Sequence, residues 1–235
     1  PPVPIRPPHA AVTAAKSAHT GSNRSGLNFC PSLAISGGQG AALALCQPIR
    51  GEEQIGGIAL CCAKLTEMEI EYDVRWVKDV HPCTSCGKCL KRRRCLFDGI
   101  INELHEHSEE FDALIIGSDV MYSEASKQAI ELLKCLFRSN NENYVGKIGG
   151  VILASNRRNT EHAYQELNRY FSYSCMPVVS GRYWNTVCDD AKDTEEMERL
   201  AQNLSWLLKC ISSGKEHGIQ NPCFVEKLDA FMLGR

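Results

Sequence analysis

Four cysteines fall within one short segment, HPCTSCGKCLKRRRC at 81–95: Cys83, Cys86, Cys89 and Cys95, spaced C-x2-C-x2-C-x5-C. Tight x2 steps let one loop wrap thiolates around a cuboidal cluster, and this single segment offers all four ligands. One [4Fe–4S] cluster is therefore the first chemistry the run suggests. Zinc is the alternative, although structural zinc sites usually pair two C-x2-C knuckles across ~12–20 residues. A cysteine-rich loop that holds no metal is the third reading. Lys88, Lys91, Arg92, Arg93 and Arg94 surround the ligands. A four-thiolate cluster is net anionic, so these cations would raise its potential and could steer an acidic electron donor.

The chain of 235 residues holds 13 cysteines, an odd number, and no secretory-type apolar run precedes them. That fits free thiols in a reducing, cytoplasmic compartment better than a disulfide framework. Cys61, Cys62, Cys135 and Cys210 lie in helix-like apolar segments and read as small buried hydrophobes. The formal net charge of -2 gives no overall basicity for nucleic acid. The longest run without polar side chains, GGIALCCA at 56–63, is far short of the ~20 residues a membrane helix needs. Other chemical motifs are absent: there is no G-x-G-x-x-G, P-loop, G-x-S-x-G or H-E-x-x-H, and no residue is assigned as catalytic. His105 and His107 read as solvated helix histidines. His81 and His162 lie on or beside loops where a proton donor could act.

These residues need elements to position them. The apolar spacing predicts helices at 52–68, 99–111, 124–137, 161–173 and 194–211, and strands at 69–77, 112–118, 147–155 and 175–181. Such alternation predicts an α/β fold, a doubly wound parallel sheet with helices on both faces. Ligands of such sheets sit beyond the carboxyl ends of the strands, at the switch point of strand order. The loops to watch are 78–98, 118–124, 155–160 and 181–190. Residues 1–51 differ: Asp and Glu are absent until Glu52, and five of the first eight residues are Pro. That region reads as an extension, a transit-type leader or an irregular first strand with a phosphate loop. The main domain is expected over 52–215, with the cysteine loop at 81–96 and a tail at 216–235.

The order strand, C-x2-C-x2-C-x5-C loop, helix, strand, helix resembles the iron–sulfur flavoproteins of the NAD(P)H-dependent FMN reductase family, in the flavodoxin-like superfamily. Three further segments carry the likeness: ALIIGSDVMYSEASKQAIELLKCLFRS (113–139), YVGKIGGVILASNRRNTEHAYQELNRYF (144–171) and MPVVSGRYWNTV (176–187). The resemblance implies a flavodoxin-like five-stranded sheet, bound FMN, redox activity and a homodimer or homotetramer. Electrons would come from NAD(P)H or a ferredoxin-like donor and pass to a quinone, flavin or dioxygen. Val120, Met121 and Tyr122 would offer apolar and aromatic surface to the flavin ring, with Ser118, Asp119, Ser155 and Asn156 near its polar edge. Asp119 stands where the family has proline, and Met121 where it has tyrosine. For the phosphate, Ser22, Arg24 and Asn28 match the family's loop pattern. Ser36 and Gly37, after SLAI, are the competing loop, with Arg50 in place of the missing arginine. The cysteine loop would lie beside the ring and relay electrons outward. A cluster-free FMN oxidoreductase and a non-catalytic zinc-stabilised module are the alternatives.

Overall fold

The computed structural model describes residues 40–46, 52–77, 80–97, 99–157, 159–188 and 192–221. Strand β1 is Ala41–Cys46, helix α1 Glu52–Glu67 and strand β2 Glu71–Trp76. The cysteine loop follows, with a single short helix, α2, at Cys89–Arg92. Then come α3 (Gly99–Glu106), β3 (Ala113–Met121), β4 (Glu124–Ala125) and α4 (Lys127–Asn140). The described chain ends with β5 (Ile148–Ala154), α5 (Glu161–Tyr173), β6 (Thr186–Val187) and α6 (Lys192–Glu216).

Five strands run parallel in the order β2-β1-β3-β5-β6, and β4 folds back antiparallel on the end of β3. Strand order reverses between β1 and β3, which makes their carboxyl ends the switch point. The sheet divides the interior into two cores, because side chains of successive strand residues face opposite ways. On one face Leu114 and Ile116 pack with Leu132, Leu136 and Leu167 from α4 and α5. On the other, Ile115 and Ile152 pack with Ile58 and Leu65 of α1 and Leu200 and Leu204 of α6.

Helix positions follow the apolar spacing closely. Helix α4 starts where Ser126 caps it, its Oγ accepting the Ala129 N–H at 3.1 Å. Strands depart more. Strand β1, AALALC, has no β-branched residue and sits inside an Ala/Ser-rich stretch, so its sequence does not announce a strand. The strand expected at 175–181 is reduced to one bridge, Gly149 with Val178, because Pro177 has no N–H to continue a ladder. The edge of the sheet is instead the two-residue β6, paired with Leu153 and Ala154. No helix among the described residues is long and apolar enough to cross a membrane.

Candidate functional site

At the carboxyl end of β3, the chain turns through Tyr122 and Ser123 into β4. Both residues are left-handed, with φ of 53° and 67°. Met121 pairs with Glu124, so this is a two-residue hairpin of the primed kind. Asn or Gly usually fills such positions; Tyr-Ser there costs roughly 1–2 kcal/mol per residue. The Asn159 amide donates to the Ser123 hydroxyl at 3.0 Å and helps to hold the turn. The result is a fixed tip on which Tyr122 is 94% and Met121 65% exposed. Ser118 and Val120 stay inside. The Ser118 hydroxyl accepts the Ser126 N–H and donates to the Asp119 carbonyl, so it braces the hairpin, and Val120 belongs to the core. Asp119 is half-buried and Glu124 exposed.

Beyond β5, Ser155 is buried and accepts the Arg157 N–H, while Asn156 is exposed. Before β6, Tyr183, Trp184 and Asn185 are all left-handed, with φ of 45°, 61° and 52°. The buried Glu196 carboxylate on α6 holds them: Oε2 accepts the Arg182 N–H and Oε1 the Asn185 N–H. Asn185 bonds Gly181 and the Val151 carbonyl from within, and Trp184 packs on Tyr164 at 5.5 Å between ring centroids.

Both phosphate-loop candidates precede β1, the first strand among the described residues. Ser22, Arg24, Asn28, Ser36 and Gly37 lie outside the described residues. The segment that leaves the carboxyl end of β1 begins at Gln47, after both of them.

The cysteine loop is held by side chains of α3 and α4. The Gln128 amide oxygen accepts the Val80 N–H at 2.9 Å, and the Glu131 carboxylate accepts the Cys83 N–H at 3.1 Å. Asn102 accepts the Cys95 N–H and donates back to the Cys95 carbonyl. The Cys89 thiol points at the Arg138 carbonyl, 3.7 Å away. From Glu131 to Arg138 the helix rises about 10 Å. The loop thus follows α4 from its first turn, near Gln128, toward its last, near Arg138.

All four cysteines, together with Cys135 of α4, line one small cavity. Among the described residues no group of three or more His, Cys, Asp or Glu stands close enough to hold a single metal ion. The thiols still sense one another. Burial raises the pKa of Cys89, Arg138 lowers it, and the nearby Cys83 and Cys86 add to the rise. The exposed Cys86 is shifted down, first by the Lys88 N–H, which offsets a small desolvation effect, and then by the Thr84 hydroxyl. Two of the five cations are spent on ion pairs: Arg93 with Glu142 and Arg94 with Glu106, each at 2.7 Å. Gln128, Glu131 and Asn102 could not have been found in the sequence, where they are ordinary polar positions on amphipathic helices.

Other expectations are redistributed. Burial pushes the Cys61 thiol up to about 12, as suits an inert core cysteine, whereas Cys210 is exposed. His105 is buried, not solvated; it bonds Tyr144 and Ser139. His107 pairs with Glu110, and exposed His81 stacks on Phe97. His162 is exposed at the start of α5.

Comparison with known proteins agrees with this architecture. The family model for NADPH-dependent FMN reductase matches residues 57–190. An iron-sulfur flavoprotein of Methanocaldococcus jannaschii is 28% identical over 109 residues, covering 43% of this chain and 54% of that protein. An iron-sulfur flavoprotein of Archaeoglobus fulgidus is 32% identical over 77 residues, covering 32% of this chain and 35% of that protein. The matched region thus spans about half or less of those relatives' length. Among solved structures, a flavodoxin, WrbA-like protein from Agrobacterium tumefaciens superposes with a TM-score of 0.51 at 12% identity, over 73% of this chain and 98% of that one. The fold is flavodoxin-like.

Proposed function

The chain belongs to the NADPH-dependent FMN reductase family, and on that premise we propose that it is an FMN-dependent oxidoreductase carrying one [4Fe–4S] cluster. The observation that carries the cluster is the single cavity lined by Cys83, Cys86, Cys89 and Cys95. Four thiols at C-x2-C-x2-C-x5-C spacing in one loop suit iron and sulfide. For FMN, the supporting observation is the exposed apolar and aromatic tip next to the switch point. Bound FMN would supply hydride and single-electron transfer, which no side chain can supply.

The chain's own residues do the holding. Met121 and Tyr122 would cover the flavin ring, and Asn156, Ser155 and Asp119 would face its polar edge. Ser118 and Val120 would act from behind, by fixing the hairpin. For the phosphate we propose Ser22, Arg24 and Asn28, or else Ser36 and Gly37 with Arg50. Gln128, Glu131 and Asn102 would hold the cysteine backbone ready for the cluster. NAD(P)H or a ferredoxin-like protein would be the donor, and a quinone, flavin or dioxygen the acceptor. Exposed Lys88, Lys91 and Arg92 would meet an acidic donor. We place the protein in a reducing, cytoplasmic setting, as a homodimer or homotetramer.

Anaerobic purification with flavin, iron and acid-labile sulfide analysis tests this. The expected result is one FMN and about four iron per chain, with iron lost in Cys89→Ser. Flavin without iron would reduce the protein to a cluster-free reductase. A colourless chain that takes up neither would remove the oxidoreductase reading.

A further inference from the structure

We propose that the groove between α4, the end of α5 and the cysteine loop is a second ligand site, built for a small planar aromatic anion. The cavity measures about 460 Å³, within the range of small-molecule sites. It requires neither the flavin nor the cluster. Phe137, Tyr170 and Tyr173 supply aromatic surface, and Tyr173 is 58% exposed despite facing the cavity. Such rings suit a flat apolar body.

The charge on the wall is positive. Lys134 is engaged with Glu131 and Arg93 with Glu142, each at 2.7 Å. Arg138, by contrast, lines the cavity with no carboxylate partner among the described residues, although its charge also acts on Cys89. A planar guanidinium next to aromatic rings suits a carboxylate on an aromatic body, through paired charge-assisted bonds.

An independent observation points inward. Ser174 caps α5 with its N–H returned to the Tyr170 and Phe171 carbonyls. Ser174 is among the residues that line this cavity, and its hydroxyl is fully buried with no hydrogen-bond partner. A buried hydroxyl without a partner is costly, and a polar atom of a bound ligand would relieve that cost. A flat ring with an acidic group and a second polar substituent would use all three features. The cavity also shares Cys83 and Arg138 with the smaller four-cysteine cavity, so an occupant would sit against the cysteine loop.

Calorimetric titration of the full chain, saturated with FMN, tests the site. The probes are 6-hydroxy-2-naphthoate and the neutral 6-hydroxy-2-naphthalenemethanol. The naphthoate should bind at one saturable site and the alcohol at least ~10-fold more weakly. Arg138→Ala should weaken naphthoate binding ~10-fold. Ser174→Ala should weaken it ~3-fold while leaving the melting temperature unchanged or higher, because the free protein loses an unsatisfied hydroxyl. A purely structural Ser174 would lower the melting temperature and leave affinity alone. No saturable binding, equal binding of the alcohol, or full affinity in both variants would overturn the site. Should Arg138→Ala disturb the cysteine loop, Ser174→Ala decides alone.

Discussion

Burial of His105 between Ser139 and Tyr144 takes the charge off its imidazole. The Ser139 hydroxyl donates to the Cys135 carbonyl, so it accepts from Nε2–H, and Nδ1 accepts from the Tyr144 hydroxyl. A neutral ring satisfies every partner. Burial, then repulsion from Arg94, lowers the pKa of His105 to about 4. The sign of the pH dependence follows. Above the ordinary value of 6.5 the ring is neutral in both states and contributes nothing to the slope. Below it the unfolded chain takes up a proton and the folded chain does not, so stability falls as the pH drops toward 4. The loss should reach about 3 kcal/mol at the acid end. Urea midpoints from pH 7 to 4 should therefore fall more steeply in the native chain than in His105→Gln. Equal slopes would show that other groups carry the acid sensitivity. In the sequence, ELHEH gives no hint of this. The burial depends on α3 meeting α4 and Tyr144, which lies 39 positions away.

Helix α4 is the element on which the cysteine loop depends. Gln128, Glu131 and Arg138 present an acceptor to the loop along one line of the helix, at contacts 48 or 49 positions apart in sequence. The four cysteines and their spacing were legible because ligand chemistry is local. The loop's path was not, because it is set by helix side chains bonded to distant backbone. Burial pushes the Glu131 carboxyl up, but the Lys134 ammonium and the Cys83 N–H outweigh it and hold it below its ordinary value. Glu131 is therefore ionised at neutral pH and is a strong acceptor for the Cys83 N–H. Glu131→Ala should release that end of the loop, while Glu131→Gln keeps an acceptor. In metal-free protein, alkylation of Cys83 by iodoacetamide, followed by mass spectrometry, should quicken several-fold in the alanine variant and little in the glutamine one. Global stability should change by only about 1 kcal/mol, since the acid is partly exposed and already paired with Lys134. Equal alkylation in all three proteins would show that the clamp does not order the loop.

At the scale of the whole molecule, one sheet joins two cores. Ile115 and Ile116 are neighbours on β3, yet each belongs to a different core. The doubly wound arrangement was readable from alternating helices and buried strands. The exact strand set was not: alanines hid β1, and the apolar MPVV overstated a strand that Pro177 prevents. Because β3 is the central shared layer, neither core can dissolve and leave its strand in place for the other. Ile115→Ala and Ile116→Ala should each cost about 2–5 kcal/mol through lost burial and the cavity left behind. Both should lower the stability of the molecule as one unit. Their double variant would consume most of the ~5–15 kcal/mol typical of a domain and be largely unfolded without urea. Pulse-labelling hydrogen exchange at each urea concentration, resolved by mass spectrometry, reports α4 and α5 on one face and α1 and α6 on the other. In each single variant the two signals should change at the same urea concentration. Separate transitions would mean that the helices on one face can leave the sheet while the other core persists, and the shared-strand account of stability would then fail.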